Sequence, residues 1–515
     1  MLLFKSIFAI LQYSCYIACK LVQGCMIMEK IRILLAAAES APLARVGDLG
    51  SIIGSLSSHL QEAGVDIRII LPLYRIIKNE KKAHLRHNSQ LIVHGPDGDT
   101  KSNLFQAKKN GITFYFVEND HYYDRPWLYE YMEEDGSWSD FNDNLERFSF
   151  FSRAVLEAIQ ETGFTPHLIH CFSWHTALIP PYLKIFYKKT PPFRGIKTLF
   201  TIPNIAFQGL FPGDKFSQTG LPPYFFSTEF YEYYGMLNLL KGGILFSDQI
   251  STISEQYARD IQSEKYGLGL EGVIRDRVND LTGIINGIDY DEWDPSRDRN
   301  TYGLKFSANK PHNKLEIKRK LLKEAGIPAH SQDLPLIILT SRLETQKGLG
   351  LIEEIKDSLK PLDVTMIICS EGARRYLDMF TRMADLKPKW LSVFSRGSDT
   401  KTLHKVIAGG DILLMPSEFE PGGFYQLLAL RYGTIPLVHN TGGLADTVTD
   451  EYNGFSFNRY SPEALLETLE RTLTAFNNKP LWEKIRRHAM HEDYSCGRTA
   501  REYIKLYTSL KSSPK

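Results

Sequence analysis

The sequence predicts an α/β protein built from two Rossmann-like domains that face each other across a cleft. Three observations carry this. The chain has 515 residues, more than one ordinary hydrophobic core organises. Short apolar runs recur along both halves, at 31–38, 65–71, 198–202, 336–340, 364–368, 412–415 and 435–438, each the length of a buried strand in a parallel sheet. Several of these runs deliver the chain into a glycine-bearing or polar turn and then a helical stretch. In open α/β sheets, ligands sit at such carboxyl ends of strands.

In order, the run at 31–38 is the first strand, followed by a loop through Gly47 and Asp48 and a helix over about 51–62. Gly64 ends that helix and the second strand begins at Val65. A helix runs from about Asn144 to Ala158, a strand ends at His170, and another spans 198–202. The polar, proline-bearing stretch 294–299 reads as an interdomain hinge. A charged helix, about 314–325, precedes the first strand of the second sheet. The expected units are 29–290, 300–485 and a terminal segment, 486–515. No tandem repeat or low-complexity segment interrupts them.

Hydrophobic residues make up 43 % of the chain and charged residues 23 %, as in a water-soluble globular protein. Lys+Arg (61) and Asp+Glu (60) nearly cancel, so no general field draws nucleic acid or anionic lipid to the main body, and neither is expected as a partner. Cys15, Cys19, Cys25, Cys171, Cys369 and Cys496 lie far apart, without the paired spacing of a metal site or a disulfide framework. A reducing compartment, the cytoplasm (or a plastid in a plant or alga), and no bound metal are the expectations. Residues 1–28 read first as an extension upstream of a true start at Met26 or Met28. The second reading is an export leader, with an apolar stretch over 6–19 and a lipoprotein-like cysteine, Cys25.

The stretch 411–450 concentrates the chemistry. Strand 412–415 leads into Glu420-Pro421-Gly422-Gly423 and a helix over 424–432; strand 435–438 leads into Thr441-Gly442-Gly443. A carboxylate on one turn and a diglycine on the next would share a crevice. The first can hold a sugar hydroxyl, and the second can offer backbone amides to a diphosphate.

The wording FEPxGxxQ, ALRYGTxP and TGGLADTV in this stretch resembles the donor-site signature of the bacterial glycogen synthases and plant starch synthases. These are retaining glucosyltransferases of the two-domain GT-B type. The resemblance extends over about 30–510. Arg45-Val46-Gly47-Asp48-Leu49 stands at the family's K-x-G-G-L, 143–148 matches DNxxRF, and Trp174-His175-Thr176 matches the end of HxHDWHT. The segment 201–212 is similar to TIHNxxYQGxFP, and 238–244 to NxLKxGI. The resemblance implies an enzyme that moves glucose from ADP-glucose, less readily UDP-glucose, to the non-reducing end of an α-1,4-glucan, with ADP-glucose a substrate and no cofactor. It assigns catalytic roles to Glu420, His175, Arg342 and Lys347, and donor contacts to Arg45, Gly47, Gly372, Thr441, Gly442 and Gly443. It also implies a last helix that crosses back onto the first domain.

Among the departures from the family pattern, six fall at motif positions expected to line the cleft: Asp48 for glycine, Ser173 for aspartate, Pro203 for histidine, Cys369 at the usual GxGD turn, Ser398 for a base-stacking tyrosine, and Glu418 for arginine. A carboxylate about 4 Å from a phosphate at an effective dielectric near 20 costs roughly 4 kcal/mol before screening. Two further readings therefore stand beside the synthase: a transferase with another nucleotide-sugar donor, and a catalytically impaired glucan-binding or regulatory homologue.

Overall fold

The computed structural model describes residues 30–80, 83–132, 138–386, 389–395 and 400–512. The expectations for residues 1–28 and Ser398 lie outside them. Nine strands form the first sheet: β1 (Arg32–Ala36), β2 (Asp66–Pro72), β3 (Arg86–Gly95), β4 (Gly98–Lys109), β5 (Ile112–Val117), β6 (Leu168–Phe172), β7 (Lys197–Ile202), β8 (Gln249–Thr252) and β9 (Leu281–Gly283). Their order is β9-β8-β7-β6-β1-β2-β5-β4-β3. β1 pairs parallel with β2 on one side (Ile33 opposite Ile67) and with β6 on the other (Ile33 opposite Leu168). The chain therefore reverses its direction of travel across the sheet between β1 and β6, which makes that junction the topological switch point. β3 and β4 depart from the parallel pattern and form an antiparallel hairpin at the sheet edge. Their residues alternate, with Leu91 and Val93 buried and Ile92 exposed, because only one face is covered.

The second sheet has six parallel strands: β10 (Leu336–Leu339), β11 (Thr365–Ser370), β12 (Leu391–Ser395), β13 (Ile412–Met415), β14 (Ile435–His439) and β15 (Phe455–Phe457). Their order is β12-β11-β10-β13-β14-β15, so the switch point lies between β10 and β13, where Ile337 pairs with Ile412. Strands buried on both faces read as unbroken apolar runs, which is why LIIL and ILLM were legible as strands.

Five helices matter to the site. α1 (Asp48–Glu62) follows β1, α2 (Asn144–Thr162) precedes β6, and α3 (Glu255–Asp260) follows β8. α4 (Tyr425–Tyr432) follows β13 and α5 (Gly442–Thr447) follows β14. α6 (Lys479–His491) stays with the second domain, where Trp482, Ile485, Ala489 and Met490 join its core. Only α7 (Cys496–Ser512) returns to the first, burying Ala500, Tyr503, Tyr507 and Leu510 in that core. The crossing thus falls near 494–496 rather than at 486.

The linker also differs from expectation. Residues 294–299 are clamped to the second domain and do not act as a free hinge. Asp298 accepts from Tyr432 Oη and pairs with His404 Nδ1, both at 2.7 Å, while Arg431 donates to Asp294 at 2.8 Å. Trp293 stacks on His404 at 3.8 Å. The two chain crossings lie side by side: Ile288 N–H donates to Tyr494 O (2.9 Å) and Cys496 N–H to Ile288 O (3.0 Å).

Candidate active site

Every candidate residue lies after the carboxyl end of a strand. Arg45 and Gly47 follow β1, and His175 follows β6, so both flank the first switch point. Arg342 and Lys347 follow β10, and Glu420 follows β13, so these three flank the second. Gly372 follows β11 and Thr441–Gly443 follow β14.

Lys347 and Glu420 meet. Lys347 Nζ lies 2.7 Å from Glu420 Oε2, with both side chains mostly buried. Ser417 Oγ donates to the same oxygen at 3.2 Å. The two loops are laced together: Glu418 N–H donates to Gln346 O at 3.0 Å, and Gln346 Nε2 to Phe419 O at 2.9 Å. Gly348, at φ +73, lies against Pro416 O, where any Cβ would collide. A part-buried cation and carboxylate at hydrogen-bond distance form a strong pair whose members each become costly when left alone. Arg342 is exposed beside them, 3.5 Å from Glu344.

The diglycine behaves differently from expectation. Thr441 N–H donates to His439 O, Gly442 N–H to Asp260 Oδ2 (3.0 Å), and Gly443 N–H to Glu420 O (3.0 Å) and Pro421 O (3.1 Å). Of these amides, that of Gly443 seats the Glu420 turn. A Cβ on Gly442 would collide with Glu420 O and one on Gly443 with Gly422 O. Close backbone approach is what requires glycine there. Gln426, the buried glutamine of the motif, completes the seat by donating to Gly422 O at 3.0 Å. α4 starts five residues after Glu420. Its N-cap, Phe424, supplies no side-chain cap, and the first amides of a helix have no partner within it.

Gly372, at φ +147, bridges Leu343, whose backbone a Cβ would strike. It braces the loop that carries Arg342. Cys369 is wholly buried within β11.

In the first domain, His175 stands in an aromatic cage. Trp174 stacks on it at 4.0 Å, and Tyr129 and Phe148 lie at 4.6 Å. Burial, and secondarily the Arg147 charge, push its pKa down to about 3, so the ring is neutral at ordinary pH. Its buried Nδ1 has no protein partner, which leaves a polar atom for a ligand hydroxyl. Arg147 explains the DNxxRF pattern. Fully buried, it donates to Tyr122 O, Leu128 O and Asn144 Oδ1, pinning the loop that carries Tyr129. Ser173 holds φ +64 at the elbow between β6 and His175, a strained conformation that turns the chain into the crevice.

Arg45 is exposed, and the loop behind it is held by a residue the sequence reading passed over. Buried Glu39 accepts from Val46 N–H (2.8 Å) and Gly47 N–H (3.2 Å). The Gly47 amide is thus engaged by a carboxylate of its own domain. Glu39's position one turn after β1 was the available signal. Asp48 opens α1, and its side chain lies outside the described residues. Pro203 follows β7. Glu418 is exposed, so solvent screens its charge more than the bare Coulomb figure allows.

The starch synthase catalytic domain model matches residues 32–276 and the glycosyl transferases group 1 model matches 323–489. "Glycogen synthase 2" of Geobacter sulfurreducens is 39 % identical over 93 % of this chain and 98 % of its own length. A "Glycogen synthase" of Geotalea uraniireducens is 40 % identical over the same shares. The chain belongs to the glycogen and starch synthase family. It is a glycosyltransferase of GT-B architecture, and the catalytic domain of Starch Synthase IV from Arabidopsis thaliana, solved bound to ADP and acarbose, superposes with a TM-score of 0.83 at 28 % identity. That likeness covers 94 % of this chain and all of the other. A sucrose-phosphate synthase from Thermosynechococcus elongatus shares the fold at TM-score 0.58 and 15 % identity. Family membership fits the placement of the candidate residues after strand ends in both sheets.

Proposed function

We propose that the protein transfers glucose from ADP-glucose to the non-reducing end of an α-1,4-glucan with retention of configuration, in the cytoplasm. The observation that carries the reading is the Lys347–Glu420 pair at the second switch point. A departing diphosphate needs positive charge, which Lys347, exposed Arg342 and the first turn of α4 would supply. As the phosphates draw on Lys347, Glu420 is released to accept from glucose hydroxyls. His175, neutral in its cage, offers Nδ1 to a hydroxyl and is not an imidazolium at neutral pH. Arg45 would approach the donor from the first domain. The relatives' names and the ADP and acarbose bound by the plant enzyme support the same donor and acceptor classes. The relatives do not favour the non-catalytic reading.

The test is incorporation of labelled glucose into glycogen by the purified chain, supplied with ADP-glucose or UDP-glucose. Incorporation from ADP-glucose, lowered about a hundredfold or more in kcat by Lys347→Ala, is the expected result. Incorporation from UDP-glucose alone would reassign the donor. Glucan binding with neither donor bound would return the chain to a regulatory role.

A further inference from the structure

The two domains meet through an exchange of carboxylates. Gln256 N–H, in the first turn of α3, donates to Asp446 Oδ2 of α5 at 2.8 Å. Gly442 N–H, at the start of α5, donates to Asp260 Oδ2 at the end of α3 at 3.0 Å. Each short helix thus has an amide near its start bound by an acid from the other domain. Arg259 approaches Asp446 at 3.6 Å, and Gln256 Nε2 donates to Asp260 Oδ1 at 2.6 Å, which holds the Asp260 carboxylate in place. Beside this exchange Phe419, the residue before Glu420, leaves its own domain's core and packs on the first domain's, 5.4 Å from Tyr257 and 5.6 Å from Tyr266.

Both contacts end on the Glu420 turn. Gly442, held by Asp260, lies in backbone contact with Glu420 O, and Gly443 donates to that oxygen. Phe419 is covalently adjacent. We propose that Asp260 and Asp446 are positioning residues: they lock α3 to α5 and so set the Glu420 turn, making the carboxylate's placement conditional on docking of the domains. The inference rests on Glu420 acting on the donor. Domain separation would free Gly442 and withdraw Phe419 together, loosening the turn from both sides.

The test combines turnover with small-angle scattering on the full chain, using Asp260→Ala, Asp446→Asn and the conservative Asp260→Glu. The lock predicts that Asp260→Ala and Asp446→Asn lower kcat at least tenfold and change the KM for ADP-glucose less than threefold. They should also raise the radius of gyration of the unliganded protein while Tm moves only a few degrees, and Asp260→Glu should recover rate and radius together. An unchanged radius in both variants overturns the proposal, whatever the rate does. So does tighter donor binding by Asp260→Ala, since the acid would then be a competitor for the donor's place. If the wild-type chain transfers no glucose, the functional reading fails, and the scattering arm still decides the lock.

Discussion

Lys347 shows how one residue carries both charge and stability. Removing it leaves Glu420 mostly buried beside a hydroxyl and without its cation. Breaking such a pair from one side typically costs about 3–5 kcal/mol, more than removing both members. Lys347→Ala is therefore expected to melt well below wild type, and Lys347→Met combined with Glu420→Gln to recover part of that loss, both read by thermal denaturation. The double variant should remain inactive, which separates the two roles. His175 gives a pH prediction of definite sign. Its folded pKa, about 3, lies below the unfolded value of about 6.5, so the unfolded chain binds the proton first. Its contribution is complete above about pH 6.5 and is lost as pH falls toward 3, reaching about 2 kcal/mol at pH 5. His175→Gln should flatten that part of a stability–pH curve measured by denaturant titration. For the same reason, the transfer rate of wild type should show no histidine ionisation near pH 6.5 that His175→Gln abolishes.

At the scale of elements, turns at strand ends hold the site, and glycine sets their spacing. Gly443→Ala places a methyl group against Gly422 O and pushes the Glu420 turn outward. A tenfold or larger fall in kcat is expected, with a loss of about 1–3 kcal/mol in stability, measured by turnover and denaturation on one preparation. Gly350, with open space where its Cβ would lie, is the control and should tolerate alanine. The sequence pattern located these turns because buried parallel strands leave unbroken apolar runs. Their partners were not legible. The diglycine looked like a phosphate cradle, yet what faces it is the backbone of residues 420–422. Nothing in the local pattern distinguishes a glycine that admits a ligand from one that admits another turn.

At the scale of the molecule, the last helix is a structural member of the first domain. Tyr507 Oη lies 2.8 Å from His170 Nδ1, whose other nitrogen meets Thr201, and Tyr503 is wholly buried beside them. A chain ending at Ser495 would expose this apolar face and the ends of two central strands. It should lose cooperative unfolding of the first domain while the second still melts as a unit, a difference calorimetry would register. Cys496, the first residue of the helix, donates to Ile288 O, so the shortened chain should also loosen the paired segments near 288 and 495 that join the domains.

By itself the sequence determined the fold class, the central parallel strands of both sheets, and the family. It also singled out Glu420, from the turn that follows a buried strand, and, through the family resemblance, Lys347, Arg342 and His175. Only the tertiary structure decided that Glu39 holds the Arg45 loop, that Tyr129 and Phe148 close the cage around His175, and that 294–299 is clamped. It also decided that Asp260 reaches Gly442 across 182 residues of sequence. Those contacts depend on which strand ends the two switch points bring together, a property of chain order in the sheets that no window of sequence contains.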